Sequence, residues 1–343
     1  MFHFEMTDYD KSVYEKELKN FLPDEFIDFH THLGRIAFDY EGEFKGCSTW
    51  TKRVYDEMTA EDLKGAYDKM FVGKKVTPLV FGDCVHNIKQ VNDYVYEKGQ
   101  EFNWPTLYRT SYEMTAEELE GNMKKGGFLG IKPFQTFSPT YIPANEIRIF
   151  DFLTHEHLEV MDRNGWIVML HTPRGGRLKD ALDLAQVMEI ERKYPSLKLI
   201  VAHIGRAYAK EDIGDAFELL KNTKNLHMDF TANMCDDVIS ACIEALGPER
   251  LIFGSDMPIA IMRMYRIVEN GVYYNVVPRG LYGDVTNEAH MRETDETDVT
   301  IMMYEQLRAL KRVATKLHLS DKDVENIMYG NAKRLLEGTD WRG

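Results

Sequence analysis

The sequence predicts an α/β protein folded as a single (β/α)8 TIM barrel over residues 1–343. Two observations carry that expectation. Short apolar, β-rich runs alternate with helical patterns nearly throughout, and eight such pairs occur in one chain. The runs are almost continuously apolar, as in parallel strands buried on both faces. An open doubly wound sheet is the alternative. It is disfavoured because no Gly-x-Gly-x-x-Gly follows the first run and no Gly-Lys-Ser/Thr loop occurs.

Residues 1–24 precede the first run and are expected to pack as a leading helix. Strands are then predicted at 26–30, 76–81, 106–109, 129–132, 167–171, 197–203, 226–230 and 251–255. Between them, Phe150, Leu153, His157 and Val160 have the spacing of one helix face. Ala181, Leu184, Ala185 and Met188 repeat it, as do Val238, Ala241, Cys242 and Ala245. Thr115 with Glu118 has the spacing of a capping box. Residues 257–299, after the last strand, exceed an ordinary loop. They carry Tyr265, Tyr273, Tyr274, Arg279 and Tyr282, then an acidic run ending in Asp298. Over the mouth of a barrel this insertion would act as a lid; a surface excursion or an oligomer contact is the equal alternative.

Composition narrows the class. With 42 Lys+Arg against 56 Asp+Glu, the net charge is −14, which argues against nucleic acid as the main partner. Hydrophobic residues at 44% suffice for a large core. No apolar stretch is long enough for a membrane span, and the first ten residues lack a basic-then-apolar leader. Cys47, Cys84, Cys235 and Cys242 are scattered, as expected of reduced thiols in a cytoplasmic protein.

The sharpest local feature is Ile27-Asp28-Phe29-His30-Thr31-His32. On a strand, His30 and His32 point the same way and can hold one metal ion. His155 and His157 have the same spacing in a helical pattern, where residues two apart do not face each other, and read as ordinary helix histidines. Lys132, His171, His203 and Asp256 then end four further strands, where barrel active sites form. Burying so many titratable groups is costly unless they are paired or bound to metal. Asp28 is read as out of phase with both histidines, pointing into the layer between strands and helices.

The order His-x-His, Lys, His, His, Gly-Ser-Asp, closed by Gly-Asn-Ala-Lys-Arg-Leu-Leu at 330–336, resembles the amidohydrolase superfamily. Within it, the resemblance is to the amidohydrolase-related branch that holds aminocarboxymuconate semialdehyde decarboxylase and related metal-dependent hydrolases. It runs from about Asp24 to Leu336. It implies His30, His32, His171 and Asp256 as metal ligands, with His203 off the metal as acid/base. Histidine nitrogens plus a carboxylate suit a divalent ion, Zn2+ foremost, with one position open. The implied reaction is hydrolysis of a C–O or C–N bond in a small carboxylated substrate, with metal-activated water as nucleophile and Asp256 or His203 taking its proton. Non-oxidative decarboxylation of an aromatic or unsaturated acid is the alternative. A barrel that has lost activity and senses a small acid is a third option, against which the intact residue set argues.

In binuclear relatives a lysine at the position of Lys132 is carbamylated and bridges two ions, which His171 and His203 would help hold. One ion per chain, with an uncarbamylated Lys132 holding a substrate carboxylate, is preferred. Dimers are common among relatives, which makes a homodimer an expectation of the resemblance alone.

Arginines point to an anionic substrate, because a guanidinium grips a carboxylate in a planar fork. Arg174 and Arg177 follow the fifth strand and Arg206 the sixth. Their alternative is pairing with Asp180, Glu211 or Asp212. Asp229 and Asn233 are candidates for orienting the ligands or for capping the next helix. Arg35 reads as a loop salt bridge and Cys84 as a thiol near the mouth. Thr231 and Ser255 lie near strand ends without the setting of a nucleophile.

Overall fold

The computed structural model describes residues 4–35, 49–84, 87–339 and 341; Cys47 lies outside these residues. The leading segment folds as expected. Thr7 caps the helix Asp8–Val13 through a capping box, and the turn continues as Tyr14–Leu18 with Val13, Tyr14 and Leu18 buried.

The strands that follow are β1 (Glu25–Leu33), β2 (Lys75–Gly82), β3 (Tyr108–Thr110), β4 (Gly130–Pro133), β5 (Ile167–Leu170), β6 (Lys198–Val201), β7 (His227–Asp229) and β8 (Leu251–Ile252). β3 to β8 form a six-stranded parallel sheet in chain order, and β1 pairs with β2. Single parallel bridges join Val80 to Thr106 and Thr31 to Met257. Helices carry the crossovers that parallel neighbours require, among them Ala60–Met70, Ile88–Phe102, Ala116–Gly126, Ala181–Lys193 and Asp236–Leu246. Thr115 and Glu118 form the expected capping box on the third of these.

Two expected boundaries shift for identifiable reasons. The eighth strand stops at Ile252 because the chain then bonds to β1. Phe253 O accepts from Phe29 N at 3.0 Å and Asp256 N donates to His30 O at 2.9 Å. Gly254 permits that approach, since a Cβ there would lie 2.3 Å from Thr231 Oγ1 and 2.7 Å from His30 Cβ. Phe150 and Leu153 precede the helix expected to include them. The helix starts at His155, because the Thr154 hydroxyl caps it by accepting from His157 N.

The core has two layers. Ile27, Phe29, Leu79, Phe81, Ile167 and Met169 belong to an inner apolar cluster. Alternate residues such as Phe26, Val80, Val168 and Leu170 pack with the helices. Residues 28, 30 and 32 are two apart, so strict alternation would put Asp28 on the histidines' side and Phe29 opposite. The expectation for Asp28 holds for another reason. β1 carries a register shift between Asp28 and Thr31, one residue longer than the matching stretch of β2. Asp28 thus bonds Tyr67 on the helix side at 2.6 Å, while Phe29 stays inside and His30 still reaches the cavity.

The insertion forms a second sheet. β9 (Tyr265–Glu269) pairs antiparallel with β10 (Val272–Pro278), which pairs parallel with β11 (Met291–Thr294). Arg263, just before β9, makes a two-pronged ion pair with buried Asp10 at 3.0 and 2.7 Å. The insertion is thereby tied to the leading helix.

Candidate metal centre and cavity

Beyond the inner apolar cluster, the strands end around a cavity of about 530 Å3. His30 and His32 of β1, Lys132 of β4, and His171, His203 and Asp256 beyond β5, β6 and β8 all line it. His203 and Asp256 hold positive φ angles of 58° and 68°, a conformation unfavourable outside glycine that is concentrated at functional sites.

Ligand atoms of His30, His203 and Asp256 lie within 4.8 Å of one another. His30 Nδ1 lies 3.1 Å from Asp229 Oδ2, and burial, reinforced by Lys132, pulls the ring's pKa down to about 3. His30 is therefore neutral, Nδ1–H donates, and the Nε2 lone pair is left for the cavity. His203 reaches the same state. Its Nδ1 lies 3.1 Å from Thr231 O, which can only accept, and burial lowers its pKa. Asp256 is opposed by burial, yet His32 and the other imidazoles hold it far below the ordinary carboxylate range. Two neutral imidazoles with fixed tautomers and one ionised carboxylate fit a divalent cation.

His32 is placed differently. Its Nε2 lies 3.0 Å from Asp256 Oδ1, and its Nδ1, without a hydrogen-bond partner among the described residues, lies 3.6 Å from Asp83 Oδ1. Burial lowers its pKa, but the two carboxylates outweigh this and raise it. A ligand role requires Nε2 to release its proton, as metal binding to histidine does. His171 stands beside His203 with ring centroids 5.3 Å apart, kept neutral by burial and by Arg206. It is outside the three-residue cluster. His203, expected off the metal, is inside it.

Burial lowers the pKa of Lys132 to about 8, against the pull of Asp229 and Asp256. Its Nζ lies 5.4 and 5.6 Å from the rings of Phe81 and Phe134. Of the three arginines, only Arg206 lines the cavity; Nη1 is anchored on the carbonyls of Thr172 and Arg174 at 3.2 Å. Arg174 pairs with Asp180 at 3.1 Å and Arg177 with Asp212 at 2.7 Å. Arg35 and Cys84 line the cavity, and among the described residues Cys235 and Cys242 form no disulfide. His155 and His157 bond Tyr194 and Met114 in the helix layer, as ordinary packing histidines do.

Several functional residues lay beyond the sequence reading. Asp83 directly follows β2, the same strand-end position as the others, which was a usable signal. Arg266, Tyr273 and Asn275 reach the cavity from the insertion sheet, and Tyr208 from the loop after β6. Asn331 of the closing motif bonds the carbonyls of Pro248 and Leu251 at 2.8 and 2.7 Å, fixing the start of β8.

The chain belongs to the amidohydrolase family, whose sequence profile matches residues 27–338. It is an enzyme of a metal-dependent class, and the centre above is where its residues offer a metal site. Solved structures share the fold at low identity. One is a probable 2-pyrone-4,6-dicarboxylic acid hydrolase from Acinetobacter baumannii with citric acid bound (15% identity, 91% and 99% of the two chains, TM-score 0.55). A second is a dihydroxybenzoic acid decarboxylase from Polaromonas sp. JS666 with manganese and 2-nitroresorcinol (14%, 92% and 97%, TM-score 0.57). A third is a 4-oxalomesaconate hydratase from Rhodopseudomonas palustris (16%, 92% and 96%, TM-score 0.55). No curated protein matches the sequence. Among the described residues, no helix is long and apolar enough to cross a membrane.

Proposed function

We propose that this enzyme hydrolyses a C–O or C–N bond of a small carboxylated molecule, using one divalent metal ion at the mouth of a closed (β/α)8 barrel. The bridges Val80–Thr106 and Thr31–Met257 support closure, because they join the β1–β2 pair to both edges of the six-stranded sheet. One observation carries the hydrolase function. An ionised carboxylate, Asp256, lies 3.0 Å from the His32 ring and 3.6 Å from His30 Nε2, inside the set of metal-ligating atoms.

His30, His203 and Asp256 would hold the ion, and His171 and His32 stand beside them. When bound, the ion polarises a carbonyl oxygen and makes water nucleophilic at neutral pH. Asp256 accepts the proton that water must lose, and His32 Nε2–H, 3.0 Å from Oδ1, orients that carboxylate. Asp229 keeps the His30 ring in one tautomer, and Thr231 O does the same for His203. Lys132 and Arg206 hold and orient the substrate's carboxylate, and Phe134, Tyr208 and Tyr273 exclude water from the cavity wall. Lys132 stays uncarbamylated in this scheme, its Nζ 5.4 and 5.6 Å from the rings of Phe81 and Phe134.

The test is turnover in H2 18O by metal-replete protein, offered carboxylated lactones, esters, amides and aromatic acids. Hydrolysis places one 18O atom in the product. Release of CO2 without 18O incorporation would overturn the hydrolase function in favour of decarboxylation. Mass spectrometry should find about one ion per chain and no added CO2 on Lys132; two ions with a carbamylated lysine would overturn the single-ion centre.

A further inference from the structure

Arg266 is a cation in the cavity wall that the described residues leave without a counter-charge. Its guanidinium carbon lies 4.7 Å from the ring of Tyr208 and 4.8 Å from that of Tyr273. Nη1 donates to Ala232 O at 2.7 Å and Nε to Asn275 Oδ1 at 2.9 Å. These contacts fix the plane through Nε and Nη1. No acid within ion-pair distance is found for it among the described residues. Arg177, 4.8 Å from the same Tyr273 ring, is paired with Asp212 at 2.7 Å. The two arginines share a tyrosine pair, but only one has its counter-charge. Desolvation is the main influence on Arg266 and disfavours its charged form. A preorganised, desolvated guanidinium facing a cavity is built to receive a planar anion.

We infer that Arg266 forms a second anion subsite, and that the substrate is a dianion: one carboxylate at the reacting end on Lys132 and Arg206, another on Arg266. This rests on the hydrolase function proposed above for the reacting end. It assigns a recognition role to the insertion, which supplies Arg266, Tyr273 and Asn275.

The experiment compares isophthalate and benzoate as non-reacting probes, by calorimetry on metal-replete protein. The wild type is expected to bind isophthalate about 10-fold to 100-fold more tightly than benzoate. Arg266→Met should abolish that difference and change benzoate affinity by less than about twofold. Arg266→Lys keeps the charge, and with it the packing demand, should the methionine variant not fold. It should still lose at least about fivefold in isophthalate affinity, because an ammonium cannot make the planar fork. Equal wild-type affinity for the probes, failure to bind either, or unchanged isophthalate binding in Arg266→Lys would each overturn the subsite. Metal content and 18O incorporation are read separately. Loss of those with the Arg266-dependent difference intact would indict the hydrolase function instead.

Discussion

Asp229 Oδ2 lies 3.1 Å from His30 Nδ1, while its Oδ1 accepts the His203 amide at 2.7 Å. One carboxylate therefore sets the ring of one member of the three-residue cluster and the backbone of another. Burial opposes its charge, but His30 and His203 hold its pKa down at about 2. In Asp229→Asn, one amide oxygen can keep the His203 bond. The NH2 group then faces Nδ1–H and drives His30 to the other tautomer, with a proton on Nε2. Affinity for Zn2+ or Mn2+ should fall roughly 10-fold to 100-fold. Competition with a chromophoric chelator checks this, and circular dichroism checks the fold. Unchanged affinity would remove His30 from the ligand set.

His30 and His157 make a matched pair. Each is buried with one ring nitrogen hydrogen bonded, but His157 Nε2 meets Met114 O at 2.7 Å, far from the cavity lining. His30→Asn should bring metal content from about one ion per chain to near zero. His157→Asn should keep the metal and lose about 1 kcal/mol of stability. Metal analysis after gel filtration, with urea unfolding alongside, separates the two outcomes.

The arginines divide in the same way. Arg206→Met should raise KM for a carboxylated substrate about tenfold with a smaller change in kcat. Arg174→Met breaks the partly exposed pair with Asp180 and should cost under about 1 kcal/mol with kcat/KM nearly unchanged. Equal kinetic effects from the two would place Arg174 at the substrate.

What the sequence made legible follows from which residues leave a local trace. Parallel strands buried on both faces leave apolar runs, so β1, β2, β5 and β6 were readable. β8 was not readable to its end, because after Ile252 the chain exchanges hydrogen bonds with β1 rather than β7. His30 and His32 stood out by their two-residue spacing, and Lys132, His171, His203 and Asp256 by their places at or just beyond strand ends; all six line the cavity. Which of them could share an ion depends on tautomers, and those of His30 and His203 are set by Asp229 and Thr231 O, on and just after β7. The bulge that turns Asp28 away from the histidines has no signature in the alternation. Arg266 depends entirely on how the insertion sheet packs over Tyr208, which no local pattern announces.

Asp183 gives a pH dependence away from the metal centre. Burial raises its pKa from 3.8 to about 7, with Asp180 adding to the rise and the Arg174 amide opposing it. In this window the folded state binds a proton that the unfolded state has lost. Stability must therefore fall as pH rises from about 4 to about 7, by at most about 1.4 kcal/mol per unit, and level off above. Asp183→Asn carries no charge in either state. Its unfolding free energy should lack this decline and exceed the wild type at pH 8. Urea unfolding at pH 5, 6, 7 and 8 checks this, and parallel curves for the two proteins would refute it.

The pair between Asp10 and Arg263 links the leading helix to the insertion that bears Arg266. Burial alone would raise the pKa of Asp10, but hydrogen bonds from Arg263, Thr300 and Thr7 outweigh it, and the carboxylate stays ionised. Thr300 donates to it at 2.7 Å, and the side chain is fully buried. Removing only the arginine leaves that charge enclosed, so Arg263→Met should cost about 3–5 kcal/mol. Asp10→Asn combined with Arg263→Met removes the stranded charge, and the double variant should be more stable than Arg263→Met alone, a non-additivity expected of residues in direct contact. β9 begins two residues beyond Arg263, so the same loss frees the sheet that carries Arg266, Tyr273 and Asn275. Limited proteolysis of Arg263→Met should therefore cut first within residues 265–294, while the strands beneath resist. If the double variant is no more stable than the single one, the pair does not hold the insertion in place.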